Sequence, residues 1–558
     1  MEWNLVFLAA AFFVGLWSIQ GVISVWRVQK ILGDCPGGEI LWVHPFRVLS
    51  IVVGSFFPFK GQIGHYFSRF DQYRSYGSTI LSSVVFSGAI PIFWLADAEA
   101  IKIVSTERSL FPKDVAAYEA LNIYGPSILG TEGSDWKRHR NVAKPAFNEA
   151  NTSYVWSETV RVLNEWFSHL DTTQAGKSDI TINLVKDMTQ VTLLVISSAG
   201  FGRKVSWSDD LKMDALAGHT MSFRQAVTSA IDNVFVKVLT PSWLYRLSQG
   251  VRIPIISKAM RNAQRSFDAL RGHMQDVVEH ARADHISGIS RTDAALLKNL
   301  VGANMAELGT LKSLSDDELL SNTFNFLLAG HETSAHTLSY AVTMLALYPE
   351  VQAKVYEEAM RLWPDGFPEE SSSTTFSQSF LRLTYTTAVF HETLRMFPAI
   401  IRLGKPVQRD TTLPGYRFQP ATSDKLSTNI QDPQRFTVNI PVGSVVIIDI
   451  FGVHRNPIHW GADADSFKPE RFIDTDNYRW PRDAFLAFSA GPRSCIGQRF
   501  STVESTCILA SLVLKYQILI PDDLKSLPRL EQERILLDTT PQVTLTPNNA
   551  RVQLKRRA

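Results

Sequence analysis

Phe488-Ser489-Ala490-Gly491-Pro492-Arg493-Ser494-Cys495-Ile496-Gly497 is a glycine-rich loop that ends on one cysteine and runs directly into a helix. Gly491 and Pro492 supply a tight turn. Gly497 leaves room for close backbone approach, and the run from Arg499 to Lys515 gives a helix whose positive N-terminal end favours an anionic sulfur. Arg493, two residues ahead of the cysteine, can pair with an anionic group on the same ligand. A lone cysteine in such a loop reads as a buried structural residue. With Phe488 and the two glycines beside it, the stretch reads as a thiolate offered to a metal.

The spacing of Phe488, Gly491, Arg493, Cys495 and Gly497 resembles the haem-ligand loop of the cytochrome P450 superfamily, in which the cysteine thiolate is the axial iron ligand. At 558 residues, with 45% hydrophobic and 20% charged content, the chain can bury a large core and is not a disordered segment. A formal net charge of +2, with no basic stripe bearing interleaved aromatics, argues against a nucleic-acid partner. Cys35, Cys495 and Cys507 form no C-x-x-C pair, so neither a disulfide scaffold nor a zinc cluster is expected, and Cys507 falls in an apolar helical run that reads as core.

Residues 5–26 carry no charge, and 22 residues at about 1.5 Å each span roughly 33 Å of bilayer. Glu2 precedes this run and Arg27 and Lys30 follow it, which reads as a retained transmembrane anchor with the remainder cytosolic. It lacks the basic start and small-residue cleavage site of a secretory signal. After the Pro36-Gly37-Gly38 break, Val48 to Phe59 is apolar but too short to span, and reads either as an interfacial segment or as a loop packed on the body. The expected division is an anchor at 1–30, a linker at 31–66 and one haem domain at 67–558.

Within that domain, 78–86 and 90–95 read as strands around Ser87-Gly88-Ala89, 97–104 as a helix, and 111–130 as a long loop. In Asp135-Trp136-Lys137-Arg138-His139-Arg140, Trp136 and Arg140 are four apart and share a helix face, where an indole N–H and a guanidinium can clasp one carboxylate. A solvated basic helix is the plain alternative. The stretch resembles the family's haem-propionate-binding helix, with Trp136 and Arg140 on the matching positions; Lys137 and Arg138 are expected on a basic docking face for an electron donor. Residues 155–310 read as mostly helical, broken at Pro241 and Pro254, and the resemblance puts 223–256 over the substrate entrance.

Ser315 and Glu318 form a capping box, and apolar periodicity then runs to Leu347 before Pro349, predicting a helix over 316–347. In its middle, Ala329, Gly330 and Thr333 lie close on one surface, able to approach a flat macrocycle or to pack against another helix. Glycine costs about 1 kcal/mol in a helix interior, so its presence wants a reason. Ala329-Gly330-His331-Glu332-Thr333 resembles the family's oxygen-activation motif, which implies Thr333 as the hydroxyl that hydrogen-bonds dioxygen and Glu332 as its proton feeder. Asn322 and Phe326 are candidates to face substrate. Glu392 and Arg395 sit at i, i+3, and in the family such a pair locks the core with a later arginine, here Arg471. Arg402 matches a further propionate position, Ala399 and Ile400 would line the pocket, and His454 reads either as reaching a propionate or as satisfying a turn, the turn being preferred. A terminal hairpin over 536–545 would bring Thr539-Thr540-Pro541 near substrate.

The chain is therefore identified as a member of the cytochrome P450 superfamily of eukaryotic microsomal type, with fungal phrasing at Ala329 to Ser334 and Ala146-Phe147-Asn148. The implied fold is mainly α with small β-sheets (α+β), the cytochrome P450 fold with an N-terminal transmembrane helix. The implied activity is a haem-thiolate monooxygenase that hydroxylates or epoxidises a lipophilic substrate, a terpenoid or other secondary metabolite, using O2 and haem b ligated by Cys495. Trp136, Arg140, Ala329, Gly330, Arg402, Phe488, Arg493 and Gly497 form the implied haem-contacting set. With no dinucleotide fingerprint in the chain, NADPH-derived electrons are expected from a separate NADPH–cytochrome P450 reductase, with cytochrome b5 as a second donor, at the endoplasmic reticulum membrane and in contact with its lipid. Fatty acids, sterols and xenobiotics are alternative substrates. A haem-thiolate isomerase or dehydratase that needs no O2, and a non-enzymatic haem- or lipid-binding protein, are alternative classes.

Overall fold

A computed structural model describes residues 2–42, 44–45, 69–173, 179–208, 220–240, 254–288, 294–306, 313–368, 373–420, 430 and 432–557. The helices used below are α1 (Glu2–Leu32), α2 (Ala98–Thr106), α3 (Gly133–Ala143), α4 (Glu149–Thr173), α5 (Leu184–Phe201), α6 (Phe223–Asp232), α7 (Pro254–Ser287), α8 (Asp316–Leu347), α9 (Thr384–Met396) and α10 (Gln498–Lys515). The strands are β1 (Gly37–Leu41), β2 (Ile80–Val85), β3 (Ile90–Leu95), β4 (Asp179–Asn183), β5 (Arg402–Pro406), β6 (Thr411–Arg417), β7 (Gln434–Ile440), β8 (Val445–Asp449), β9 (Tyr516–Leu519), β10 (Thr539–Pro541), β11 (Leu545–Pro547) and β12 (Arg551–Arg556). The chain divides into two compact units, one of Met1–Ala117, Ile400–Phe467 and Trp480–Cys495, the other of Tyr118–Ala399, Lys468–Arg479 and Ile496–Ala558.

The first unit is built on a five-stranded sheet in the order β1-β2-β3-β8-β5. β2 and β3 pair antiparallel from Ile80↔Leu95 to Val85↔Ile90, and the turn between them places Gly88 and Ala89 at φ 93° and 47°. Phe70, Tyr73, Leu81, Val85, Ile92, Trp94 and Ile447 form the core against it. Strands covered in this way read as near-continuous apolar runs, as β3 and β8 do. Asp97 caps α2 by accepting from Ala100 N at 3.0 Å.

α1 forms a 31-residue helix. Among the described residues, however, no helix is long and apolar enough to cross a membrane, so the single-pass span expected over 5–26 is not supported. The helix does not end with the apolar run: its last turns carry Arg27, Gln29 and Lys30, with Gln29 donating to the Gly38 carbonyl at 3.2 Å and Lys30 lying 3.6 Å from the Trp26 ring centre. The segment 48–59 lies outside the described residues, as do 241–253 of the region expected over the substrate entrance.

The second unit is helical around α8, which at 32 residues is about 48 Å long. Its start carries the expected capping box, with Ser315 Oγ accepting from Glu318 N at 3.2 Å and the Glu318 carboxylate accepting from Ser315 N at 2.9 Å. β4, β12 and β9 make a three-stranded sheet, and β10 and β11 a hairpin over 539–547 rather than 536–545, because residues 529–536 wind into a helix first; Thr539-Thr540-Pro541 is its first strand, and its tip is 542–544.

Candidate haem site

The first unit presents the cysteine. Leu486 N donates to His454 Nε2 at 2.8 Å, and the His454 ring stacks on Phe485 at 5.5 Å and 11°, so His454 supports the approach to the loop. Phe488 is half-buried, edge-on to Phe485 at 6.4 Å. Ser489 and Gly491 then take φ 59° and 69°. A Cβ on Gly491 would also lie 2.4 Å from the Ser105 carbonyl oxygen of α2, so both conformation and space demand glycine there. Ser494 N donates to Gly491 O at 3.0 Å and Cys495 N to Phe488 O at 2.8 Å, closing a loop that leaves Cys495 exposed. Cys507 is its opposite: burial pushes that thiol far up, and it stays protonated core. Gly497, at φ −88°, has a conformation any residue adopts.

Arg493 is half-buried in the same loop, and Arg402 is buried on β5 with its guanidinium 5.1 Å from the Trp94 ring centre. Arg402 stands opposite Asp449 in the β5–β8 ladder. The Asp449 carboxylate accepts from Tyr73 Oη and Gly452 N, each at 2.9 Å; burial raises its pKa and the Arg402 charge counters. Sequence reading missed this acid, because Tyr73 lies 376 residues from it in the chain.

The second unit presents a strip on α8. From Leu319 to Leu347 every residue is buried except Phe326, Ala329, Gly330 and Thr333, spaced i, i+3, i+4 and i+7, with Ala329 the most open. That spacing is one helix face. Thr333 Oγ1 donates back to the Ala329 carbonyl at 2.7 Å. Gly330 has a packing reason of its own: a Cβ there would lie 3.0 Å from the Ile196 side chain of α5. Trp136 is buried on α3, and the half-buried Arg140 guanidinium sits 5.7 Å from its ring centre, so the two share a face as their spacing implies.

Two readings of nearby residues need correction. Arg138 does not belong to a docking face. It holds Glu318 through two short bonds, 2.6 and 2.8 Å, and donates to Ser313 O at 2.7 Å, while Lys137 alone is exposed. Asn322 does not face substrate: its carbonyl accepts from Ile128 N at 3.0 Å and its amide nitrogen meets His139 Nδ1 at 2.8 Å, tying the long loop to α8. Glu332 is buried beside the terminal hairpin, where it accepts from Thr544 Oγ1 at 3.0 Å; Thr544 in turn meets His336 Nδ1 at 2.8 Å. Burial lifts the Glu332 carboxyl to about 7 against the Thr544 bond.

The core lock is as expected. Arg395 donates to Glu392 at 2.6 and 2.8 Å with neither side chain exposed, and Arg471 approaches the same carboxylate at 3.5 Å. Lys468 N, 2.8 Å away, adds a donor the sequence did not reveal.

A haem requires a soft anionic ligand, cations for its two carboxylates and a face free of bulky side chains. The first unit holds an exposed thiol with Arg402 and Arg493; the second holds Trp136, Arg140 and an α8 strip centred on alanine. Each unit by itself carries groups of the kind a haem takes.

A family model described as cytochrome P450 matches residues 45–424 and 424–546. A cytochrome P450 monooxygenase of Postia placenta, number 124, is 34% identical over 521 residues, 92% of each chain. Cytochrome P450 monooxygenase ORF6 of Penicillium roqueforti is 27% identical over 84% of this chain and 80% of its own. The phomenoic acid biosynthesis cluster cytochrome P450 monooxygenase of Leptosphaeria maculans is 25% identical over 76% and 73%. With the family matched through both the thiol loop and the α8 strip, the chain belongs to the cytochrome P450 family and is a haem-thiolate monooxygenase that uses O2 and electrons from a reductase.

Proposed function

We propose that Cys495 would supply the thiolate to the haem iron, that Trp136, Arg140, Arg402 and Arg493 would hold the haem carboxylates, and that the α8 strip is the oxygen-activation surface. When bound, the haem supplies the activation of dioxygen that lets one oxygen atom enter a C–H or C=C bond. The chain's own residues bind, orient and manage protons. Thr333, whose single hydroxyl proton rests on the Ala329 carbonyl, must turn from that carbonyl to offer the proton at the open strip, and Glu332, ionising near neutrality, is the proton store. The observation that carries this reading is the strip itself: four uncovered positions on one face of a helix buried everywhere else from Leu319 to Leu347.

The substrate is lipophilic, since Phe326 and Ala329 contribute apolar surface at the strip, and a terpenoid or other secondary metabolite is the class to try first. The fungal relatives, one of them named for a biosynthesis cluster, support that choice. The expected partners are a separate NADPH-dependent reductase and cytochrome b5, at the endoplasmic reticulum membrane.

The test is a haem spin-state titration against terpenoids, sterols, fatty acids and aromatics, followed by product analysis with NADPH and reductase. Cys495→Ser should lose the red-shifted carbon monoxide band of a thiolate-ligated haem. Thr333→Ala should keep that band and slow product formation by about 10²-fold, with electrons diverted to peroxide. A Thr333→Ala enzyme with full coupling would remove the strip from the chemistry.

A further inference from the structure

Glu332, His336 and Tyr340 follow one another at i, i+4 and i+8 on α8, and all three are tied to the β10–β11 hairpin. Thr544 bridges Glu332 and His336, and Tyr340 Oη donates to Thr539 Oγ1 at 3.0 Å. The hairpin cannot drift from that stripe: Leu545 N donates to the Ala399 carbonyl at 2.9 Å, and the Tyr340 ring stacks on Phe397 at 4.4 Å and 7°. We propose that Thr544 and His336 are positioning residues for the oxygenation reaction, a buried hydrogen-bonded chain that fixes the Glu332 carboxyl and sets the pH at which it gives up its proton. The inference rests on the reading of Glu332 as the proton store.

Proton counting gives the chain its direction. A threonine hydroxyl has one proton. If Thr544 donates to Glu332 Oε1, it has none left for His336, so His336 must carry its proton on Nδ1 and donate to Thr544. The second carboxyl oxygen, Oε2, is buried with no hydrogen-bond partner among the described residues. Oε2 is therefore the oxygen that carries the proton, and the proton it gives up is regained from solvent water. The surroundings agree. Burial holds both His331 and His336 down to about 4, so neither gives Glu332 a cation. The Asp232 carboxylate at the end of α6 pushes it further toward its protonated form. Among the described residues, the hairpin offers Glu332 only the Thr544 hydroxyl, and α5 puts the Thr192 hydroxyl on the His331 carbonyl at 3.0 Å.

The experiment uses the full-length, haem-loaded enzyme with Thr544→Val, Thr544→Ser and Glu332→Gln. The first readout is the infrared carbonyl stretch of the protonated carboxyl that Glu332→Gln abolishes, followed against pH. The second is the ratio of product to peroxide over the same range. In Thr544→Val the band should titrate about one pH unit higher, since one hydrogen bond to the carboxylate is lost. The pH at which coupling is half lost should move with it, and Thr544→Ser should restore both. If Thr544→Val does not hold haem, His336→Leu removes the other donor and carries the same readouts. A band that titrates unchanged overturns the chain, and a band that moves while coupling does not overturns its positioning role. Full coupling in Glu332→Gln is a separate failure: it overturns the proton-store reading and this inference with it.

Discussion

Glu392 and Arg395 have no exposed surface, and the carboxylate also takes Lys468 N and faces Arg471. Replacing Glu392 with alanine leaves two buried guanidinium groups without their counter-charge, a loss of about 3–5 kcal/mol. Glu531 and Arg534 have the same i, i+3 spacing at 2.9 Å but lie in solvent, and Glu531→Ala should change stability by less than about 1 kcal/mol. Urea denaturation of both variants checks the contrast; equal midpoints would show that burial is not what gives the Glu392 pair its weight.

At the scale of the element, α8 is secured at its N-terminus by one carboxylate with two tasks. Burial alone would raise Glu318, but Arg138, the Ser315 backbone and the neighbouring His139 outweigh it and hold it at about 2. Ser315→Ala removes only the cap, about 1 kcal/mol. Glu318→Ala removes the box and takes from Arg138 its two shortest bonds, leaving it the Ser313 carbonyl and Asp135, so it should cost about 3 kcal/mol. Chemical denaturation of the two variants separates the tasks, and equal losses would mean that Arg138 contributes nothing to the helix start.

For the whole molecule, acid stability has a sign that follows from buried imidazoles. His331 has no exposed surface, its Nδ1 meets the Leu327 carbonyl at 2.7 Å, and burial lowers its pKa from 6.5 to about 4. Between those values the unfolded chain binds a proton that the folded one refuses, so stability falls as pH drops from 6.5 toward 4. Each such histidine contributes up to about 1.4 kcal/mol per pH unit. Glu332 acts in the opposite sense: its folded pKa is raised to about 7, so its contribution is present at low pH and lost as pH rises through 7. Denaturant midpoints from pH 8 to 4.5 should show His331→Gln with a shallower acid slope than the parent. An unchanged slope would mean that His331 is protonated in the fold.

What the sequence determined by itself is local chemistry. The capping box of α8, its end before Pro349, the strands around Ser87-Gly88-Ala89 and the cysteine loop all depend on residues within a few positions of one another, where backbone sterics and hydrogen-bond reach act directly. Family spacing added Glu392, Arg395 and Arg471 for the same reason of fixed local pattern. Only the tertiary structure decided which face of each helix is covered. Arg138 looked available to a partner until Glu318, 180 residues away, took it; Asn322 looked free to meet substrate until Ile128 and His139 used both ends of its amide. Thr544 carried no signal at all, because a hydroxyl acquires a role only when folding brings a carboxylate 212 residues distant within hydrogen-bond reach. Long-range polar pairing of this kind depends on which surfaces lose their water, and that is settled by packing rather than by the order of residues along the chain.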